Sequence, residues 1–437
     1  MSSQIEPEAE AAKKRGNELF AAQDYEGAMK SYSEAMKLDP SQWTYPLNRC
    51  FAHLKIERWT EAEADATSVI DLDESNAKAW YRRSLARKGL GKFASARADL
   101  YSYGRRIRDF KIMVEENSKI AAMEAAIVKA SVDSPACGFK FVDTSNHGVG
   151  AFATRSFERS ELVLVEEPLY TVSEIASPRQ IATAVSRLTD DERTELSLLH
   201  NNFPDRFDDS FVGIHRTNAF AAGEDSSVLC LRTSRFNHSC TPNARYSWYA
   251  PSKTFRIYAL RSIREDEEIL VSYISGRNIY GSSKAQRQAR LQSMLGFVCS
   301  CTSCTLPSAE QAASDRRRQE LTQLWDTVPH FPPSQTAARL NAIARAIRLM
   351  KEEGYDADED DFTNDAAVIC AFHSDWELLA AVESAVYWGI RTYESRVAEF
   401  GADSRRAMDE EVLRFLLEPQ KHQMAGRGTR KVFKTRV

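Results

Sequence analysis

The stretch Arg235–Ala244, "RFNHSCTPNA", sets an amide, an imidazole and a thiol side by side before a turn-prone Pro. Three more cysteines crowd together much later, in "GFVCSCTSC": Cys299, Cys301 and Cys304. A structural zinc ion takes four tetrahedral ligands, and three such closely spaced thiols need a fourth from elsewhere. We therefore predict a zinc site formed by these three cysteines and Cys240. The alternative is a set of reduced thiols without a metal.

The composition limits the class of protein. The chain has 437 residues, 43% hydrophobic and 27% charged, which is typical of a soluble globular protein with two or three domains. The net charge of −4 favours no particular partner. No apolar stretch reaches the ~18 residues that a membrane span needs. The first residues, "MSSQIEPEAEAAKKRGN", lack the apolar core of a secretory signal, so we expect a cytoplasmic and/or nuclear protein without a disulfide framework.

Residues 10–110 repeat with a period of about 34, marked by small and large apolar residues at matching positions. The first unit, "GNELFAAQDYEGAMKSYSEAMKLDP", resembles the tetratricopeptide repeat, and the second is degenerate. One unit cannot bury its own apolar face, so stacked units are expected. We predict three repeats plus a capping helix over residues 9–130.

The remainder of the chain changes character twice. Residues 137–275 alternate β-branched and aromatic residues with turns, interrupted by a polar helical insert at about 172–227. "KTFRIYALRSI" and "EEILVSYI" are both predicted to form strands there. Residues 315–420 carry apolar residues at helical spacing. The last residues, 421–437, hold six cations and no acid, and a disordered tail is expected there rather than a nucleic-acid or targeting patch.

Four motifs together identify a family. "HGVGAFATRSF", "RFNHSCTPNA", "REDEEILVSYI" and "GFVCSCTSC" occur in the order and spacing of a SET-domain methyltransferase, and the chain resembles the SET-and-MYND group in particular. No second Cys/His cluster is present in the sequence, so the MYND zinc finger is absent. The resemblance implies a multidomain α+β protein: a helical array, a β-rich SET fold, a zinc-bound post-SET segment at 290–305 and a helical C-terminal region.

The resemblance also implies S-adenosylmethionine as cofactor and a protein lysine, histone or non-histone, as substrate. Tyr273 would be the catalytic residue at the floor of the lysine channel. By the same resemblance the cofactor would be bound by Gly148, Val149, Gly150, Asn218, Ser234, Asn237, His238, Tyr273 and Phe297. Taken singly, several of these could instead be a sheet tyrosine, a packed histidine or a hairpin turn. Leu295 departs from the family, since many relatives have a tyrosine there.

A second site is predicted in the repeats. Lys13 and Asn17 share one helix face, as do Lys78 and Arg82, and Asn48 comes between the two pairs. This pattern resembles the carboxylate clamp of chaperone-binding tetratricopeptide domains, which hold the terminal Glu-Glu-Val-Asp of heat-shock chaperones. The alternative is a solvated helix surface.

Two classes of function follow. The first is a protein-lysine methyltransferase that the repeats bring to a partner such as a heat-shock chaperone C-terminus. The second is a chaperone-binding adaptor with an inactive SET domain. We expect no membrane partner, and a nucleic-acid partner is disfavoured because the net charge is slightly acidic and no basic–aromatic interleaving is present.

Overall fold

The computed structural model describes residues 2–131, 137–144, 148–274, 276–373, 375 and 384–431. Its contacts divide the chain into two compact units, residues 1–124 and 125–437. Within the described residues, no helix combines the length and the apolar character required to cross a membrane.

The first unit is built from helices that pack in sequence order. They are α1 (Ser2–Ala21), α2 (Tyr25–Leu38), α3 (Thr44–Lys55), α4 (Trp59–Leu72), α5 (Ala77–Gly89), α6 (Phe93–Ile107) and α7 (Lys111–Ser131), the last of which continues into the second unit. The alternation of small and large residues explains their close approach. A Cβ added at Gly16 would lie 2.6 Å from the ring of Tyr32, so only glycine leaves room for that aromatic side chain. The predicted helical array is confirmed.

The β-rich part of the second unit contains three small antiparallel sheets. Its strands are β1 (Phe139–Thr144), β2 (Gly148–Ala153), β3 (Leu162–Glu166), β4 (Tyr170–Ser173), β5 (Phe220–Ala221), β6 (Ser226–Leu229), β7 (Ala244–Tyr249) and β8 (Thr254–Ala259). The strand orders are β1-β2, β3-β8-β7 and β4-β6-β5. Register pairs include Phe141 with Ala151 and Tyr246 with Ile257. Between β4 and β5 lies the helical insert, with α8 (Pro178–Val185), α9 (Asp190–Ser197) and α10 (Ser210–Asn218).

One predicted strand differs in the structure. "EEILVSYI" forms two isolated bridges instead of a ladder, Glu268 with Phe152 and, in parallel, Val271 with His238. Val271 donates its N–H to Asn237 O at 3.0 Å. Its neighbours on the two sides come from different parts of the chain, so no continuous pairing develops. This segment therefore lies beside the "NHSC" motif.

Helices close the second unit. They are α11 (Arg277–Tyr280), α12 (Lys284–Leu295), α13 (Ser308–Thr327), α14 (Thr336–Glu352), α15 (Asp360–Phe372), α16 (Ala385–Phe400) and α17 (Glu410–Leu417). Helix α13 begins before the predicted start of the C-terminal helical region at 315. The overall fold class, with a helical array, a β-rich middle part and C-terminal helices, is as the sequence predicted.

Part of the basic tail, for which disorder is predicted over 421–437, lies against α15 in the described residues. Gly426 N–H donates to Ala371 O at 3.1 Å, and Gly428 N–H donates to Phe372 O at 2.8 Å. These bonds satisfy carbonyls at the end of α15 that the helix itself leaves unpaired. Residues 432–437 lie outside the described part of the chain.

Candidate functional site

The four predicted metal-binding cysteines come together. The Sγ atoms of Cys240, Cys299, Cys301 and Cys304 all lie within 4.8 Å of one another. The separations from Cys240 are 4.0 Å to Cys299 and 3.7 Å to Cys304. A tetrahedral zinc site with Zn–S bonds of 2.3 Å has sulfur–sulfur edges of about 3.8 Å. Since both the donor set and the spacing suit zinc, these residues fit that ion.

A buried arginine supports this interpretation. Arg287, on α12, has no exposed surface, and its Nη2 lies 3.8 Å from Cys304 Sγ. Among the described residues no carboxylate pairs with Arg287, and its Nε has no hydrogen-bond partner. A buried cation needs a compensating negative charge. Four thiolates around Zn²⁺ carry a net charge of −2 and supply it, whereas four neutral thiols would not.

The chain reaches this cluster through defined turns. Helix α12 ends at Gly296, whose φ of +76° is a left-handed conformation that glycine adopts without strain. A short 3₁₀ turn, Thr302–Cys304, then folds the last two cysteines inward. The αL turn also places Phe297 beside Tyr273, with ring centroids 6.2 Å apart.

Tyr273 lies against the "NHSC" motif. Its hydroxyl donates to Phe236 O at 2.9 Å, and its N–H donates to His238 Nδ1 at 3.0 Å. The His238 and Tyr273 rings are 5.3 Å apart. Burial raises the pKa of the Tyr273 phenol, so it stays neutral at physiological pH. Leu295 and Phe297 are partly buried at the same core as Tyr273. Tyr273, the predicted catalytic residue, thus lies close to both His238 and Phe297.

Position 150 has room only for glycine, because the side chains of Asn237 and Glu268 lie against it. A Cβ there would lie 2.5 Å from Glu268 Oε1 and 2.9 Å from Asn237 Nδ2. Asn237 Nδ2 in turn donates to Glu268 Oε1 at 2.9 Å. Gly148 differs: it has a φ of +72° and open space around its Cβ position, and Val149 pairs with Asp143 between β1 and β2. The strand therefore passes against Asn237 at Gly150 and is open at Gly148.

Asn218 and Ser234 lie close to each other. The Asn218 amide donates to His200 O and to Ile214 O, both at 2.7 Å. The Ser234 hydroxyl donates to Cys230 O at 2.5 Å, and Asn218 O lies 3.2 Å from the same hydroxyl. Their side-chain donors are thus used within the protein, and any contact with a cofactor would use their remaining atoms.

Sequence reasoning missed two residues that hold this site. Arg287 is one. The other is Glu166, whose carboxylate accepts from Arg232 N–H at 2.8 Å and from both the N–H and the hydroxyl of Thr233. Burial raises the pKa of Glu166, and these hydrogen bonds oppose that shift. The only signal in the sequence was an acid at the end of the apolar run "LVLVE". By these hydrogen bonds Glu166 stabilises the turn that leads into Phe236 and Asn237.

In the first unit, the five predicted clamp residues line one groove of about 660 Å³. Its other lining residues, which the sequence reasoning did not name, include Trp43, Leu47, Tyr103 and Ile107. Tyr103 and Ile107 lie four residues apart on α6, so the helical spacing could have revealed them. The groove therefore combines cations and amides with an apolar wall.

The cations of the groove are poorly neutralised. In the described part of the first unit no carboxylate pairs with Lys78 or Arg82, and Lys13 bonds Glu10 at 2.6 Å. Arg82 lies over the Phe51 ring at 4.5 Å, and burial lowers its pKa. Such a desolvated cation gains from an anionic ligand.

The amides of the groove are oriented by their neighbours. Asn17 Oδ1 accepts from Tyr32 OH at 2.9 Å and from Asn48 Nδ2 at 3.3 Å. Since the oxygen of the Asn17 amide is used twice, its nitrogen is the end directed to a ligand, and it is a donor. Donors from three helices thus face one space.

Comparison with known proteins relates part of the second unit to one family. Residues 148–274 match the family model described as "SET domain". Over those residues the chain is similar to SET domains. It is 27% identical over 289 residues to histone-lysine N-methyltransferase set5 of Schizosaccharomyces pombe, a match covering 66% of this chain and 86% of that protein. This chain is thus similar to that protein over two thirds of its length.

The first unit has relatives of its own. It is 39% identical over 120 residues to serine/threonine-protein phosphatase 5 of Rattus norvegicus, covering 27% of this chain and 24% of that one. The solved second TPR domain of human RPAP3, in complex with the HSP70 peptide SGPTIEEVD, is 38% identical, with a TM-score of 0.26 and coverage of 26% of this chain and 97% of that one. The match to the SET relative spans most of that protein, whereas the match to the phosphatase spans about a quarter of it.

Proposed function

We propose that this protein transfers methyl groups from S-adenosylmethionine to protein lysine side chains. The observation that carries the proposal is the placement of Tyr273 between His238 and Phe297, beside a four-cysteine cluster that suits zinc. Homology to a histone-lysine methyltransferase supports the reaction class.

The chemistry asks the site to accept a neutral amine. Lysine in water has a pKa of about 10.4, so deprotonation at pH 7 costs roughly 4–5 kcal/mol at 1.36 kcal/mol per unit. Apolar walls such as Phe297 and Leu295 reduce this cost by disfavouring the ammonium. Bound S-adenosylmethionine would supply the methyl group: the neutral amine nitrogen would bond to the methyl carbon as the carbon–sulfur bond breaks, leaving S-adenosylhomocysteine and a methylated ammonium.

The chain's own residues supply orientation. Because the Tyr273 hydroxyl donates its proton to Phe236 O, its oxygen remains available as an acceptor, and we place it at the floor of the lysine channel. An acceptor at that point can align the amine through its N–H groups. Asn237, fixed by Glu268 against Gly150, would hold polar atoms of the cofactor. Positioning of this kind is the main source of rate in a displacement that needs no acid or base chemistry from the protein.

Calorimetry with S-adenosylmethionine tests this proposal. Wild type should bind one equivalent with measurable heat and a rise in melting temperature, and Asn237→Ala should bind at least about tenfold more weakly. Absence of heat and of a thermal shift with wild type would contradict the enzyme and favour the alternative, an adaptor with an inactive SET domain. Leu295, where relatives carry a tyrosine, is the residue that favours that alternative.

We further propose that the groove of the first unit binds the C-terminal peptide of a heat-shock chaperone. Its cations at Lys13, Lys78 and Arg82, with donors at Asn17 and Asn48, suit a terminal carboxylate and the acid beside it. A fluorescent peptide ending in Glu-Glu-Val-Asp should bind with its free carboxylate and lose most affinity as the C-terminal amide. Equal binding of both peptides would contradict the clamp.

A further inference from the structure

His238 contacts the four-cysteine cluster on one side and the backbone of Tyr273 on the other. Its Nδ1 accepts the Tyr273 N–H at 3.0 Å, and its Nε2 lies 3.4 Å from Cys240 Sγ. The two contacts use the two nitrogens of one ring. The imidazole is thus shared between the sulfur cluster and the segment that bears Tyr273.

The direction of both hydrogen bonds follows from the backbone. A peptide N–H can only donate, so Nδ1 of His238 must present its lone pair to Tyr273. A neutral imidazole then carries its proton on Nε2, which donates it to the sulfur of Cys240. The geometry therefore sets one tautomer and places an N–H···S bond at Cys240.

Each of the other three sulfurs also has an N–H donor. Cys301 Sγ faces the N–H of Cys240 at 3.4 Å, and Cys299 Sγ faces the N–H of Cys301 at 3.4 Å. Cys304 Sγ faces Arg287 Nη2 at 3.8 Å. Two donors are backbone groups and two are side chains. Four thiolates that share one cation spread negative charge over all sulfurs, and outer donors of this kind strengthen and orient metal ligands.

We infer that His238 is a positioning residue that joins the zinc thiolate of Cys240 to the backbone of Tyr273. It holds the Tyr273 amide at a fixed distance from the metal, so the catalytic hydroxyl keeps its register with the post-SET wall. Arg287 supports the metal alone, because it has no contact with Tyr273 among the described residues. The inference rests on the zinc site of the proposed function. It gives His238 a positioning role in addition to the cofactor contact that the sequence predicts.

The matched variants are His238→Phe and Arg287→Met. Phenylalanine keeps the ring that packs on Tyr273 and Phe297 but removes both nitrogens. Two measurements on the zinc-loaded full chain read the two bonds separately. Transfer of zinc to a chromogenic chelator reads the bond to sulfur. Hydrogen exchange of the peptide covering residues 270–275, followed by mass spectrometry, reads the Tyr273 amide.

His238→Phe should speed zinc transfer about tenfold and also speed exchange in 270–275, whereas Arg287→Met should speed zinc transfer alone. Wild-type behaviour of His238→Phe in either measurement overturns the inference. If His238→Phe does not fold, His238→Gln replaces it: one amide cannot serve both partners as the ring does, so at least one reading must rise, and two unchanged readings overturn the inference. Purified protein without stoichiometric zinc contradicts the metal part of the proposed function together with this inference; zinc present with both readings unchanged contradicts the inference alone.

Discussion

Cys240 Sγ and Cys304 Sγ lie 3.7 Å apart, although 64 positions separate the two residues in the chain. This contact closes the post-SET segment onto the "NHSC" motif and brings Phe297 to Tyr273. A zinc ion bound by the four sulfurs would hold these segments together and balance the buried charge of Arg287. We therefore expect the placement of Phe297 beside Tyr273 to depend on the metal.

Cys240→Ser should lower zinc affinity by at least roughly 10- to 100-fold. Losses of that size are typical when a residue that only hydrogen-bonds a metal ligand is changed, and here the ligand itself is replaced. The reason is that a serine hydroxyl is a far weaker zinc ligand than a thiolate. Elemental analysis after dialysis against a chelator measures the effect. Cys230→Ser is the control, because Cys230 is equally buried but lies outside the cluster. Equal zinc retention by the two variants would refute the assignment of Cys240.

In the groove, the double variant Lys13→Ala with Arg82→Ala should weaken binding of a Glu-Glu-Val-Asp peptide by about 2 kcal/mol, roughly 30-fold. Both cations would face the terminal carboxylate, and Arg82 is the more desolvated of the two. Fluorescence anisotropy provides the measurement. Lys30→Ala, on a different face of the array, should bind as wild type does. Unchanged affinity of the double variant would rule out the clamp.

Gly150→Ala should weaken S-adenosylmethionine binding about tenfold, because overpacking costs 1–3 kcal/mol and the added Cβ displaces Asn237 and Glu268. Gly223→Asn is the matched control and should bind the cofactor as wild type does, since asparagine tolerates the left-handed backbone and nothing lies near that Cβ position. Calorimetry compares the two. A Gly150→Ala protein that binds the cofactor like wild type would show that this contact does not position the site.

His215 in the helical insert makes the stability of the second unit depend on pH. Burial lowers its pKa from 6.5 to about 4 while it bonds the Tyr170 hydroxyl at 3.2 Å. As pH falls below 6.5, His215 therefore binds a proton in the unfolded chain but stays neutral in the folded chain. The free energy of unfolding decreases as pH falls from 6.5 towards 4. The contribution from this residue should fall by about 2 kcal/mol between pH 7 and pH 5.

The comparison of wild type with His215→Phe isolates that term, because other titrating groups cancel in the difference. Urea unfolding at pH 7 and at pH 5 should show the stability advantage of wild type shrinking by that amount. An advantage that stays constant with pH would mean that His215 is not held neutral.

The sequence predicted the features that depend on local pattern. The 34-residue period gave the helical array, because paired helices need small residues such as Gly16 opposite large ones such as Tyr32. The spacing of Cys299, Cys301 and Cys304 required a fourth ligand, and the structure brings Cys240 to them.

Tertiary packing produced what the pattern could not show. Arg287 looks like any surface arginine on a polar helix, and only the arrival of Cys304 from beyond α12 makes it a buried counter-charge. "EEILVSYI" has strand composition, yet its two neighbours at Phe152 and His238 come from separate segments and leave only isolated bridges. The tail at 421–431 is ordered by carbonyls at the end of α15, which composition does not reveal.

The most direct test of the central claim is transfer of radiolabelled methyl groups from S-adenosylmethionine to lysines of cell-extract proteins. Tyr280→Phe is the control, since this fully buried hydroxyl has no hydrogen-bond partner among the described residues. Wild type and Tyr280→Phe should label the same proteins, and Tyr273→Phe should label them about 100-fold less. Equal labelling by Tyr273→Phe and wild type, or no labelling by wild type, would contradict the account.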